Sequence, residues 1–406
     1  MDAPSEIGFG DAAGAAALDI ALFDFVSHET MHLPFNEEYL RTLAAAFPAD
    51  RIIFSARAGH IANLAPRVAD LANVALRACA PFEVPFGLSR HNPIGGRIAA
   101  RRSLKAMRGA VAGLRLRLAV LMGVDSSLYG VMGHRWPSVS SAPLHMILHG
   151  QLGDAMVWRS RNPLNRAADL IAEIGKTLPA GISVVALELG VKEAIAEIAP
   201  ANRAVITLEH PILTSEWSKP APPADDALKI AFLGNARRSK GFETFARLAR
   251  ETDRSDLEFQ SIGVAAPDTD HLDIARLTRK PSRESMSRGD YLAATRAIDL
   301  VCLPLHSRAY DFTASGTVAD AVAALKPLVA FRNRTLDAIV ARYGPIGWLV
   351  ESEDEMFYLI QTLDRRAFAD ARSAWVANLR RMREARRPEA LAPAYRALIA
   401  GPVDAI

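Results

Sequence analysis

Two long stretches of this chain alternate short apolar runs with helical patterns, and a proline-rich break divides them. That double alternation constrains the fold more than any other feature. A run of five or six apolar residues followed by an amphipathic helix needs cover on both faces, as in a parallel sheet with crossover helices. In the first series the strand runs are Asp19–Phe25, Arg51–Ser55, Leu144–Leu148, Ser183–Leu187 and Ala204–Leu208, and Asn36 is placed to cap a helix from Glu37 to about Phe47. In the second they are Leu228–Leu233, Leu257–Ile262, Asp299–Leu303 and Pro327–Phe331. The break is Lys219-Pro220-Ala221-Pro222-Pro223-Ala224-Asp225-Asp226. The expected architecture is α/β, with two Rossmann-like domains facing across a cleft. Residues 1–218 form the first, 219–227 the linker and 228–385 the second. A C-terminal helix within 386–406 packs back on the first domain. Ligands of such sheets bind outside the carboxyl ends of the strands.

With 406 residues, 50% of them apolar and 23% charged, the chain has ample core for two domains. Two cysteines leave no disulfide framework and no cysteine zinc site. The first residues lack the basic start of a secretory signal, and no run of 18 apolar residues occurs. A cytoplasmic protein, free or peripheral on the inner membrane face, is expected.

Chemistry concentrates at two loops of the second series. Tyr310–Pro327 follows a strand run, Leu300–Leu305, that leads through a loop to a helix start. Ser315 suits an N-cap, Gly316 permits close approach of a ligand, and Thr317 follows. Free N–H groups and the helix dipole favour an anion there. Asp320, on the same helix face, can accept from ribose hydroxyls. The other loop is Gly234-Asn235-Ala236-Arg237-Arg238-Ser239-Lys240-Gly241, with a glycine at the strand end and three cations. Guanidinium forks and an ammonium suit a diphosphate.

These residues resemble the donor-binding domain of GT-B glycosyltransferases, close to the glycosyltransferase family 4 group. The resemblance rests on Gly234 with Lys240-Gly241 six positions on, and on Asp320 in the later element, over about residues 228–350. It implies a metal-independent glycosyltransferase with no cofactor beyond a nucleoside diphosphate sugar as co-substrate. Gly234, Arg237 or Arg238, Lys240, Gly241, Tyr310, Ser315, Gly316 and Thr317 would hold the diphosphate side, and Asp320 the ribose. The family has Arg after the first Gly, where this chain has Asn235. It also has a Glu eight positions before the second acid, where this chain has Phe312, preceded by Asp311. His149 would face the cleft from the first domain, contacting donor sugar or acceptor hydroxyl. The implied acceptor is a glycan or lipid-linked glycan, as in bacterial polysaccharide biosynthesis.

Other residues keep alternatives open. Asp24, ending the first strand run, is a second candidate base beside His149. His145 is expected to be a core histidine. His28-Glu29-Thr30-Met31-His32 matches the zinc-hydrolase spacing H-E-x-x-H, which needs a helix; in a loop, His28, Glu29 and His32 would instead lie on the acceptor side. Asp268-Thr269-Asp270 reads as a solvated loop and not a metal site. A non-catalytic nucleotide-sugar-binding module is the remaining alternative. Finally, Arg90–Arg117 holds eight cations beside an apolar stripe of Leu104, Met107, Val111, Leu114, Leu118 and Leu121. This reads as one helix, with Arg97–Arg117 available to an anionic membrane. Aromatic residues do not interleave with the cations, so nucleic acid is not an expected partner.

Overall fold

The computed structural model describes residues 17–79, 92–157, 159–212, 214, 216–217, 227–305 and 307–399. Arg90, residues 219–226 of the expected linker and the last residues of the C-terminal segment lie outside them.

Seven strands form the first sheet: β1 Asp19–Asp24, β2 Arg51–Ala56, β3 Val74–Ala78, β4 Leu116–Leu121, β5 Leu144–Leu148, β6 Ile182–Ala186 and β7 Val205–Thr207. They are ordered β3-β2-β1-β4-β5-β6-β7, and every pairing is parallel. The second sheet holds β8 Leu228–Leu233, β9 Leu257–Ile262, β10 Leu300–Leu303, β11 Leu328–Phe331 and β12 Gly347–Val350. Its order is β12-β11-β10-β8-β9, again all parallel. Each order reverses once, between β1 and β4 and between β8 and β10. Such a reversal opens a crevice at the carboxyl ends of the two strands.

Both sheets are covered on both faces. Helices Pro93–Val111 and Ser126–Arg135 share one apolar cluster with β1 and β5 through Ala100, Met107, Leu128 and Tyr129. The opposite face carries helix Leu33–Ala46 and the last helix, Pro388–Ile399, through Tyr39, Leu43, Leu391 and Tyr395. The Tyr39 and Tyr395 rings meet edge to face at 5.7 Å. The C-terminal helix thus lies against the first sheet, although the helix before it, Arg365–Ala385, packs on the second. Pro393 lies inside the last helix.

Three expectations need correction. Asn36 does not cap a helix. The helix starts at Leu33 with Pro34 in its first turn, and Asn36 is buried inside it. Two strands on sheet edges, β3 and β12, and the central β4 were not foreseen. The basic stretch is not one helix either: it ends at Val111, Gly113 follows at φ 79°, and Leu118 and Leu121 belong to β4. Arg117 on β4 pairs with Asp50 at 2.5 Å, so it is no part of a cationic helix face.

Candidate functional site

The site is built at the reversal point of the second sheet. After β8 the chain turns at Gly234, φ 87°, and closes a short 3-10 turn, Arg238–Lys240, at Gly241, φ 75°. A Cβ at Gly241 would lie 1.8 Å from the Pro304 carbonyl oxygen, just past β10. No side chain fits there, so the loop after β8 lies directly on the loop after β10. From the β10 side comes helix Gly316–Ala323, capped by Ser315, whose Oγ accepts from Val318 N. Ser315 and Thr317 hydroxyls share a hydrogen bond of 2.8 Å.

The two loops meet over Gly234. A Cβ there would lie 2.8 Å from Thr317 Cγ2 and 4.0 Å from Lys240 Nζ. The ammonium and the helix start therefore share one small space. Nothing lies within 4 Å of a Cβ at Gly316, which faces open room. Lys240 has its pKa lowered, first by burial and then by Arg237, with Asp320 and Asp154 opposing. Of the two candidate arginines, Arg238 is drawn away to Glu243 at 2.9 Å. Arg237 is exposed and close enough to lower the Lys240 pKa. With its amide oxygen turned to face it, Asn235 accepts from Arg237 Nη2 at 3.0 Å.

Asp320 is half-buried and accepts from Tyr291 OH at 2.8 Å. Arg288 stands 3.8 Å away. Burial raises the Asp320 pKa, while Arg288 and Tyr291 pull against it. Arg288 also pairs with Glu216 at 2.8 Å, and Glu216 with Arg67 of the first domain at 3.0 Å. Asp320 is thus tied across the cleft to Arg67 by alternating charges. Tyr310 is buried, and its carbonyl accepts from Thr335 Oγ1 at 3.0 Å. Burial raises its hydroxyl pKa, with Asp154 adding to the rise and Arg237 opposing it. Phe312 sits in the first domain's apolar cluster with Leu148 and Leu152. Asp311 accepts from Arg334 N at 2.8 Å. Asp311 holds a helix start, and Phe312 is an apolar contact between domains.

On the first-domain side, His149 follows β5. Its Nε2 donates to the Met122 carbonyl at 2.7 Å, which leaves Nδ1 as the acceptor. Burial, with His32 beside it, pushes the pKa down to about 3. His32 stacks on His149 with ring centroids 4.5 Å apart, and its Nδ1 lies 3.3 Å from Ser27 Oγ. Its pKa is lowered by burial, then by His60 and Lys240, against Asp24. The Lys240 contribution puts the His32 ring within electrostatic reach of the loop after β8. His32 has φ 54°, a left-handed conformation rare for non-glycine residues and typical of functional loops.

Asp24 does not face the cleft as a base. It is 1% exposed and accepts from Val26 N, Ser27 N and Asn36 Nδ2 at 2.8–3.0 Å. Burial alone would raise its pKa, but the hydrogen bonds from Ser27, Asn36 and Val26 outweigh it, and the net shift is down. It anchors the turn that carries His32. His28 and Glu29 are exposed on turns, and the Glu29 carbonyl accepts from His60 Nδ1 at 2.8 Å. The H-E-x-x-H stretch is therefore not helical. Among the described residues no group of three or more His, Cys, Asp or Glu is arranged to hold a metal. In the Asp268-Thr269-Asp270 stretch, Thr269 is buried on the Ala236 and Ala266 carbonyls and Asp270 pairs with Arg283. His145 is buried, with burial pushing its pKa down to about 4. Besides Arg67, Glu216 and Arg288, a further residue went unnoticed in the sequence. Asp154, in the first turn of helix Gln151–Val157, contributes to the pKa of both Lys240 and Tyr310.

No family model matches the sequence, and no curated protein matches it either. Solved structures do. HepE of Anabaena in complex with UDP aligns with TM-score 0.62 at 12% identity, over 94% of this chain and 100% of its own. The chain has the GT-B fold. The lipopolysaccharide outer core galactosyltransferase WaaB, without ligand, aligns with TM-score 0.59 at 10% identity over 94% and 99% of the two chains. The E. coli trehalose-6-phosphate protein bound to UDP-2-fluoro glucose gives 0.59 at 8% over 95% and 99%. The alignments cover 94–95% of this chain, so both domains of the fold are spanned.

Proposed function

We propose that this chain is a glycosyltransferase that moves a sugar from a nucleoside diphosphate sugar to a glycan or lipid-linked glycan, as in polysaccharide biosynthesis. The observation that carries the reading is the meeting of Lys240 Nζ and the Thr317 helix start over Gly234. Three fixed positive elements, Lys240, Arg237 and the helix N-terminus, converge where a diphosphate leaving group would gain charge. Such preorganised donors stabilise a departing anion. Asp320, held by Tyr291 and flanked by Arg288, is the ribose acceptor. His32 is neutral at pH 7, because its pKa lies below the usual imidazole value. A neutral imidazole can take the acceptor hydroxyl proton as the new bond to the sugar carbon forms. His149 supports that ring from beneath. UDP and a UDP-sugar analogue in two of the GT-B structures make uridine the first nucleoside to test.

The test is a thermal-shift and calorimetric screen against nucleoside diphosphates and their sugars. Lys240→Met and Asp320→Asn should each weaken the best diphosphate about tenfold or more, about 1.4 kcal/mol. His32→Ala should lower turnover while leaving diphosphate affinity near wild type. A wild-type protein that no nucleoside diphosphate stabilises would contradict the proposal. Phe312, an apolar residue where the family keeps a carboxylate, favours a second reading, a nucleotide-sugar-binding module without turnover. Donor binding with neither transfer nor donor hydrolysis would support that reading over the first.

A further inference from the structure

The helix Pro93–Val111 divides cleanly into two faces. Gly96, Ala100, Ser103, Met107 and Val111 are buried, and Ala100, Met107 and Val111 belong to the first-domain core. The apolar stripe is therefore used by the fold. The opposite face is Ile94, Arg97, Ile98, Arg101, Arg102, Lys105 and Arg108, all exposed. These positions recur every three or four residues and form one continuous ridge. It carries five cations and no acid. Among the described residues five large apolar side chains are exposed, and two share this ridge: Ile94 at 75% and Ile98 at 48%. The nearest acid, Glu173, reaches Arg97 at 3.7 Å, but its carboxylate is covered and also pairs with Lys176 at 2.8 Å. Among the described residues Arg101, Arg102, Lys105 and Arg108 make no ion pair.

The topology sets where this ridge lies. The helix crosses from the carboxyl end of β3 to the start of β4, so its N-terminal end lies toward the carboxyl ends of the strands. His32 after β1 and His149 after β5 stand at that same edge of the sheet. Nineteen helical residues extend about 28 Å, longer than the six-residue strands beside them. Ile94 and Ile98, near the helix's N-terminal end, therefore lie toward the same edge of the sheet that carries His32 and His149, and the cations trail away from it along one line.

We infer that this ridge docks on the surface of a bilayer containing anionic phospholipid, with Ile94 and Ile98 entering the acyl boundary beside the cleft mouth. A linear array of cations matches a plane of negative headgroups, and two exposed aliphatic side chains have a partner in lipid. A nucleic acid offers them none. The inference holds whatever nucleotide the second domain binds. Combined with the glycosyltransferase reading, it selects a lipid-linked acceptor presented from the membrane over a free glycan. No helix among the described residues is long and apolar enough to cross a membrane, so the attachment is to one leaflet.

The test is co-sedimentation of the full chain with vesicles of phosphatidylcholine alone and with phosphatidylglycerol added, at low and high salt. Wild type should sediment only with the anionic vesicles and be released by salt. Each cation removed near the surface lowers partitioning about fivefold. The combined variant Arg101→Glu, Arg102→Glu, Lys105→Glu should therefore lose about a hundredfold or more. Ile94→Asp with Ile98→Asp should weaken binding in a way that low salt does not restore. Both variants alter exposed residues, and unchanged melting curves confirm that they fold. Wild-type protein left in the supernatant with anionic vesicles would overturn the inference and point to an acidic protein as occupant. So would a charge-reversal variant that sediments like wild type.

Discussion

Three histidines carry a measurable signature of the first domain's interior. His145, His149 and His210 are held neutral by burial, with pKa values pushed down to about 4, 3 and 4. An unfolded histidine takes up its proton near pH 6.5. Between that pH and about 4 the unfolded chain binds protons that the folded chain refuses. Stability is therefore complete above pH 6.5 and falls as pH drops, by about 1.4 kcal/mol per pH unit for each group. Asp24 acts in a lower window, since its lowered carboxyl loses its contribution only as pH falls through its folded value. Thermal denaturation at pH 7 and pH 5 should show a clear loss of stability. A melting temperature unchanged over that range would mean that these rings are solvated. The sequence showed that His149 ends a strand. It did not show that Nε2 is spent on the Met122 carbonyl or that His32 lies over the ring. Those facts depend on a left-handed turn held by Asp24, and no local pattern announces it. Asp154 left no signal at all, because its role exists only once the other domain stands opposite.

At the scale of elements, the glycines of the two loops divide the work. Gly241 is needed for the fold, since a methyl would press on the Pro304 carbonyl at 1.8 Å in a left-handed conformation. Gly316 opens a helix and faces free space. Gly241→Ala should destabilise by at least about 1–3 kcal/mol in urea denaturation. Gly316→Ala should match or exceed wild-type stability, because alanine is the better helix former by about 1 kcal/mol. It should nevertheless weaken diphosphate binding, since its methyl occupies the room the ligand needs. Equal binding by wild type and Gly316→Ala would place the ligand elsewhere. The central strands and the helix after Ser315 were legible because continuous apolar runs and a cap mark them. The edge strands β3 and β12 were not, being short and only partly buried. β4 was missed because Leu118 and Leu121 continue the spacing of Met107 and Val111. Gly113 was the one local sign that the helix had ended.

Across the whole molecule, the domains are joined by more than the linker. Arg386, 3% exposed in its side chain, is clamped between Glu188 at 2.5 Å and Glu209 at 3.3 Å, where the chain returns to the first domain. Removing one partner of such a buried set leaves an uncompensated charge. Arg334 pairs with Glu197 across the domains, and the Ala309 carbonyl and the Thr313 side chain lie against Gly153, with Thr313 also beside Gly150. Arg67, Glu216 and Arg288 lead the same closure to Asp320. The twofold alternation in the sequence announced two domains. These cross-domain pairs lie up to 198 positions apart and follow no periodicity. They hold His32 of the first domain within electrostatic reach of Lys240, beside the point where the loops after β8 and β10 meet; one pyrophosphate gripped by both loops is the central proposal. A crystal structure grown with a nucleoside diphosphate tests this most directly. The diphosphate is expected against the N–H groups of Gly316 and Thr317, with Lys240 Nζ about 3 Å from a phosphate oxygen. A diphosphate bound away from Lys240, or touching only one of the two loops, would contradict it.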